Sequence, residues 1–141
     1  MHGMYFSGAY CVINRRLNEM SFANAGHQPL LLIRDGEVRE LVADGAVIGF
    51  DPDYEFKVER VKLQKNDRII LYTDGILEAT KHNTRNYETI YGAKRFYEYI
   101  KNNHSLCQKE FVEQLYNNIF QYTEDNRFND DVAVIIIDRI E

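Results

Sequence analysis

Three carboxylates in this chain occupy positions from which they could share a cation. Asp74 stands in Leu71-Tyr72-Thr73-Asp74-Gly75, directly after the apolar run Ile69–Tyr72. Asp130 and Asp131 open a second apolar run in the stretch NDDVAVIIID, residues 129–138. One acid closes a strand-like segment and two begin another. If those strands pair antiparallel, the end of the first lies beside the start of the second, and Asp74 and Asp130 share one rim of a sheet. Clustered carboxylates repel unless something positive joins them. Oxygen-only donors favour hard ions, Mn2+ or Mg2+, which usually keep several water ligands. Gly75 lets the backbone turn sharply away so that a ligand can approach. On spacing alone, TDG as an ordinary turn and NDD as a solvated loop is the more economical reading, because Asp and Gly are common turn residues.

The elements that must position these acids follow from periodicity. SGAYCVIN alternates and returns through RRLN as EMSFANA, a hairpin. PLLLIR, the turn Asp35-Gly36 and EVRELV form a second hairpin. DGAVIGFDPD is a loop, YEFKVERVKL alternates again, and RIILYT is a continuous apolar strand buried on both faces or nearly so. After Asp74-Gly75 the period changes. ILEATKHNTRNYETIYG reads as a short helix and a polar loop, and AKRFYEYIKNN as a helix presenting Phe96, Tyr97 and Ile100. Ser105 and Gln108 have capping-box spacing ahead of a helical stripe of Phe111, Val112, Leu115, Tyr116, Ile119 and Phe120. That stripe is read as a face packed on the sheet. VAVIIID is expected as a final buried strand. Strands, then helices, then one more strand make an α+β layout with a mainly antiparallel sheet.

Composition narrows the function. The 141 residues suit one domain able to bury a core without disulfides. A formal net charge of −5 with scattered Lys and Arg argues against nucleic acid as a partner. No apolar run approaches the roughly 20 residues needed to span a membrane. Cys11 and Cys107 lack metal-type spacing and are read as reduced, half-buried thiols of a cytoplasmic protein.

Other polar residues stay open. His27, in AGHQP, could be a general acid or a phosphate contact, or could pin the loop between two strands. Glu78, one helical turn beyond Asp74, is either a carboxylate backing the site or an exposed helix residue. His2, His82 and His104 sit in polar or terminal contexts that suggest no chemistry. No serine–histidine or cysteine–histidine triad emerges.

The motifs NAGHQP, the loop with IGF, LYTDGILEA and NDDVAV occur in this order from about Phe6 to Ile137. Together they resemble the C-terminal part of the SpoIIE-like serine phosphatases, bacterial members of the metal-dependent, type 2C-like protein phosphatase superfamily. The resemblance implies a mainly antiparallel β-sandwich with flanking helices and a two-metal Mn2+ or Mg2+ centre at one end of the sheets. In such enzymes a metal-bound water attacks a phosphoserine or phosphothreonine. Asp74 matches one metal-ligand aspartate and Asp130 another. Asp131 aligns beside it, Gly75 lies next to the metal, and His27 is assigned no metal. The implied partner is a phosphorylated regulatory protein of the anti-sigma-factor antagonist type.

The family's domain is longer. Its earlier part carries a GGD-type aspartate and a D-x-x-G-H-G-type stretch, and neither occurs here. Residues 1–141 are therefore expected to be the C-terminal portion of such a domain, with a partial metal site. The alternative is a non-catalytic phosphatase-like module that binds a regulatory protein. The first hairpin, next to the truncation, is expected to lose neighbours, and a homodimer through the N-terminal strands follows as an expectation.

Overall fold

Leu30–Ile33 contains no polar residue because both of its faces are covered. The computed structural model describes residues 4–81 and 89–141. In chain order these form β1 (Gly8–Asn14), β2 (Glu19–Ala25), β3 (Leu30–Arg34), β4 (Glu37–Leu41), β5 (Glu59–Lys62), β6 (Arg68–Tyr72), α1 (Gly92–Asn103), α2 (Gln108–Thr123) and β7 (Val134–Asp138). One sheet has the order β1-β2-β5 and the other β4-β3-β6-β7, with antiparallel pairing throughout. The α+β sandwich with flanking helices is the expected architecture.

Side-chain alternation divides the core in two. Leu30, Leu32 and Ile69 point between the sheets, where they meet Met20, Phe22, Leu41 and Leu63. Leu31, Ile33, Ile70 and Tyr72 point the other way and are covered by Phe96, Tyr99 and Ile100 of α1 and Phe111, Leu115 and Ile119 of α2. The helices thus lie on the outer face of the four-stranded sheet. Phe111, Leu115 and Ile119 of the expected stripe are core, as their period indicates, whereas Tyr116 and Phe120 beside them are half-buried. The Asp35-Gly36 turn has positive φ at both residues, 51° and 80°, as a two-residue hairpin loop requires.

Five sequence expectations change. β7 is an edge strand, not a buried one: among the described residues it pairs with β6 alone, and Ile135 is 56% exposed. The capping box at Ser105 does not form. α2 begins at Gln108 after Cys107, with no side-chain cap. Arg68 Nη2 donates to the Leu106 carbonyl (2.9 Å), which holds the connection outside the helix. Cys107 is consequently exposed, whereas Cys11 is half-buried as expected. Among the described residues directly after β6, a short 3-10 turn, Asp74–Ile76, replaces the start of the expected helix. Of the rest of the expected short helix and polar loop, Thr80 and Ile90 form an isolated antiparallel bridge, and residues 82–88 lie outside the described residues. Of the alternating stretch 54–63, only Glu59–Lys62 enters the sheet.

The end of the sandwich where β6 starts is held by two arginine–carboxylate forks. Arg34 donates from Nε and Nη2 to Asp67 at 2.9 and 2.7 Å, and Asp67 also accepts the Gln64 amide at 2.7 Å. Arg68 donates to both oxygens of Asp138 at 2.6 and 2.8 Å, binding β6 to β7. Asp67 is 1% exposed, so losing it strands the Arg34 charge and the Gln64 amide together. Asp67→Ala is expected to lower stability by about 3 kcal/mol. Lys57→Ala, which breaks the exposed pair with Asp44, is expected to cost less than about 0.5 kcal/mol. Urea denaturation of both variants checks the contrast.

Candidate functional site

The rim opposite those forks collects the segments singled out by sequence. β6 and β7 pair antiparallel up to Tyr72–Val134, so Asp74 follows the ladder's last pair and Asp130–Asp131 precedes it. β3 pairs antiparallel with β6 through Leu31–Ile70, which brings the 26–29 loop to the same rim. Asp74 opens the 3-10 turn, and Asp74, Asp130 and Asp131 are all exposed.

Backbone contacts tie the two acid-bearing segments together. The Thr73 amide donates to the Ala133 carbonyl at 3.1 Å. The Thr73 hydroxyl donates to the Asp131 carbonyl at 3.1 Å and accepts from the Ala133 amide at 2.9 Å. A Cβ placed on Gly75 would lie 2.5 Å from the Asp131 carbonyl oxygen. Gly75 does not have positive φ, so its role is close backbone approach and not the sharp turn expected from sequence. The Asp131 amide donates to Asp130 Oδ1 at 2.7 Å, which engages one oxygen of that carboxylate with its own loop. On the far side Asn129 Oδ1 accepts from the Thr80 amide and hydroxyl, each at 3.2 Å. Glu78 is exposed, and its amide donates to the Asp74 carbonyl at 2.9 Å, closing the turn.

His27 is half-buried, with Nδ1 3.1 Å from the Gln28 carbonyl. The loop around it is pinned by Asn24, a residue that sequence reasoning missed. Asn24 is buried. Its Oδ1 accepts the His27 amide at 2.8 Å, and its Nδ2 donates to the carbonyls of His27 (2.8 Å) and Gln28 (3.2 Å). A second loop packs onto this one: the Gly26 amide donates to the Gly45 carbonyl at 3.0 Å. A Cβ on Gly45 would sit 1.4 Å from the Asn24 carbonyl oxygen, so only glycine fits. The signal for Asn24 was present. It is an amide on the inward face of β2, in line with buried Met20 and Phe22.

The donor set suits a hard divalent cation: exposed carboxylate oxygens, with no thiol among them. It does not suit a closed, fully protein-ligated centre. Among the described residues no group of three or more His, Cys, Asp or Glu side chains is placed to hold a metal ion. A cleft of about 810 Å3 opens between the sheets at the other end, lined in part by Ile13, Asp67, Ile137 and Arg139, and is remote from the carboxylates.

Over residues 1–140 the sequence matches the Stage II sporulation protein E (SpoIIE) family, and the chain belongs to it. It is similar to the phosphoserine phosphatase RsbU of Bacillus subtilis, 25% identical over 138 residues, covering 96% of this chain and 39% of RsbU. Its fold matches the SiaA PP2C domain of Pseudomonas aeruginosa with a TM-score of 0.79 and 24% identity, over 96% of this chain and 52% of that one. The manganese-presoaked phosphatase domain of SpoIIE from Bacillus subtilis matches with a TM-score of 0.70 and 20% identity, over 96% of this chain and 56% of that one. The fold is that of type 2C phosphatase domains, and the chain spans about half the length of those structures and less of RsbU.

Asn24→Ala removes the shared partner of three loop groups and leaves a buried amide donor unpaired. The expected loss is about 2 kcal/mol, with faster hydrogen exchange at the His27 amide. Urea denaturation and exchange measured by NMR check both.

Proposed function

We propose that this chain is part of a metal-dependent protein serine/threonine phosphatase in which Asp74 and Asp130 ligate Mn2+ or Mg2+, with Asp131 as a further donor. The observation that supports it best is the β6–β7 register, with the Thr73 and Gly75 contacts, which brings the two acid-bearing segments to one rim. A divalent cation bound there supplies activation of water and neutralisation of charge on phosphoryl oxygens, so that no protein nucleophile is needed. The chain's own part is to bring the segments that carry these carboxylates together at one rim. Asp130 has one oxygen committed to the Asp131 amide, which leaves the other as donor. Exposure of all three acids leaves room for water ligands and for a phosphorylated side chain from another protein. His27, in its pinned loop at the same rim, is a contact for that side chain, and Glu78 backs the Asp74 turn.

The substrate we propose is a phosphoserine or phosphothreonine on a regulatory protein of the anti-sigma-factor antagonist type. The kinship with RsbU, a phosphoserine phosphatase, supports this reaction class. A second reading is favoured by one observation. Three ligands do not converge among the described residues, as suits a phosphatase-like module that binds its partner without turnover.

Two experiments separate these readings. The chain is expected to bind Mn2+ weakly, because water fills most of an octahedral shell, and Asp74→Asn is expected to abolish the calorimetric signal. Hydrolysis of a phosphoserine peptide is expected to be slight in the 141-residue chain and Mn2+-dependent in a longer protein containing it. Equal Mn2+ binding by wild type and Asp74→Asn would remove Asp74 from the site.

The chain is also proposed to form a homodimer. β1 is an edge strand with Tyr10 and Val12 exposed, and Met4, Tyr5 and Phe6 before it are exposed as well. Exposed edges and apolar faces seek partners. Gel filtration with light scattering is expected to give twice the 16.6 kDa chain mass. A monomer at about tens of micromolar would overturn this.

A further inference from the structure

The β6–β7 ladder does not simply stop at Tyr72–Val134. At the next position, Thr73 opposite Ala133, half of the ladder pattern continues and half is replaced. The Thr73 amide still donates to the Ala133 carbonyl at 3.1 Å. The Thr73 carbonyl, which would ordinarily receive the Ala133 amide, has turned away and accepts the Ile76 amide at 3.3 Å to start the 3-10 turn. The hydroxyl takes its place: Oγ1 accepts the Ala133 amide at 2.9 Å. It then donates its own proton to the Asp131 carbonyl at 3.1 Å.

One side chain therefore lets the strand end and the turn begin at the same residue without orphaning a backbone donor. It also grips the opposite segment at two positions, Asp131 and Ala133. We infer that Thr73 is a positioning residue for the candidate cation site, its hydroxyl setting the separation between Asp74 and the Asp130–Asp131 pair. The role rests on the metal reading given above and deepens it.

The geometry accounts for the residue type. A methyl in place of the hydroxyl offers neither acceptor nor donor, so the Ala133 amide and the Asp131 carbonyl lose their partner together. Serine keeps both functions. Gly75 closes the same interface from the next turn, since its backbone lies against the Asp131 carbonyl. Asn129 fixes the other end of the loop on Thr80. The acid pair is thus suspended between two anchors, and Thr73 is the one that touches the strand leading to Asp74.

The test uses the 141-residue chain, with Thr73→Val as the near-isosteric variant and Thr73→Ala should valine misfold. Groups that orient metal ligands through hydrogen bonds typically change metal affinity by tenfold or more. Mn2+ calorimetry is accordingly expected to show a loss on the order of tenfold for Thr73→Val and wild-type binding for Thr73→Ser. Hydrogen exchange at the Ala133 amide is expected to accelerate in the valine variant and to recover in the serine variant. Folded Thr73→Val that binds Mn2+ like wild type, while Asp74→Asn does not bind, would overturn this role and leave the metal reading standing. Wild-type binding by Asp74→Asn would overturn both.

Discussion

Five residue pairs between β6 and β7, from Arg68–Asp138 to Tyr72–Val134, join the middle of the chain to its end. The candidate site depends on that pairing. It is antiparallel, so it carries the end of one acid-bearing segment to the start of another that lies more than fifty residues further along. β6 is also the strand through which the two cores meet. Ile69 faces the space between the sheets and Ile70 faces the helices. A strand buried on both faces cannot slip by one residue without exchanging its two apolar sets. The register that aligns Asp74 with Asp130–Asp131 is therefore enforced by packing far from the acids themselves.

The two ends of this pairing are built in opposite ways. At one end Arg68 and Asp138 form a fork, and Arg34 and Asp67 form another beside it. There Asp67 and Asp138 each have a cation, and the cations have carbonyls as well. At the other end Asp74, Asp130 and Asp131 are exposed, and the segments that carry them are held by contacts between backbone and hydroxyl. Exposure keeps the cost of their mutual repulsion low, because water screens it.

Among the described residues β7 has one neighbour and an exposed Ile135, and β1 has one neighbour with Tyr10 and Val12 outward. Both strands border the wide cleft at the paired end, where Ile13 and Ile137 line the same space.

Much of this was determined by local sequence. Asp35-Gly36 specifies its hairpin because both residues tolerate positive φ. The continuous apolar runs of β3 and β6 announce strands covered on both faces, and the stripe from Phe111 to Phe120 specifies a helix packed on one side. The juxtaposition of TDG with NDD followed from assuming an antiparallel neighbour. Other features were decided only in the tertiary structure. The run VAVIIID looks as buried as RIILY, but sheet order places it at an edge, and composition does not encode order. Ser105 and Gln108 have the spacing of a cap, yet Arg68, distant in sequence, binds the Leu106 carbonyl and the helix begins later. Thr73 and Asn24 are common polar residues in a sequence. They become anchors of the rim only because folding brings the partners of their hydrogen bonds, Asp131 and Ala133 for one and the close-packed loop around His27 for the other, to within 3.2 Å. Local pattern encodes which faces are apolar, whereas strand order and long-range hydrogen bonds arise from how those faces are covered.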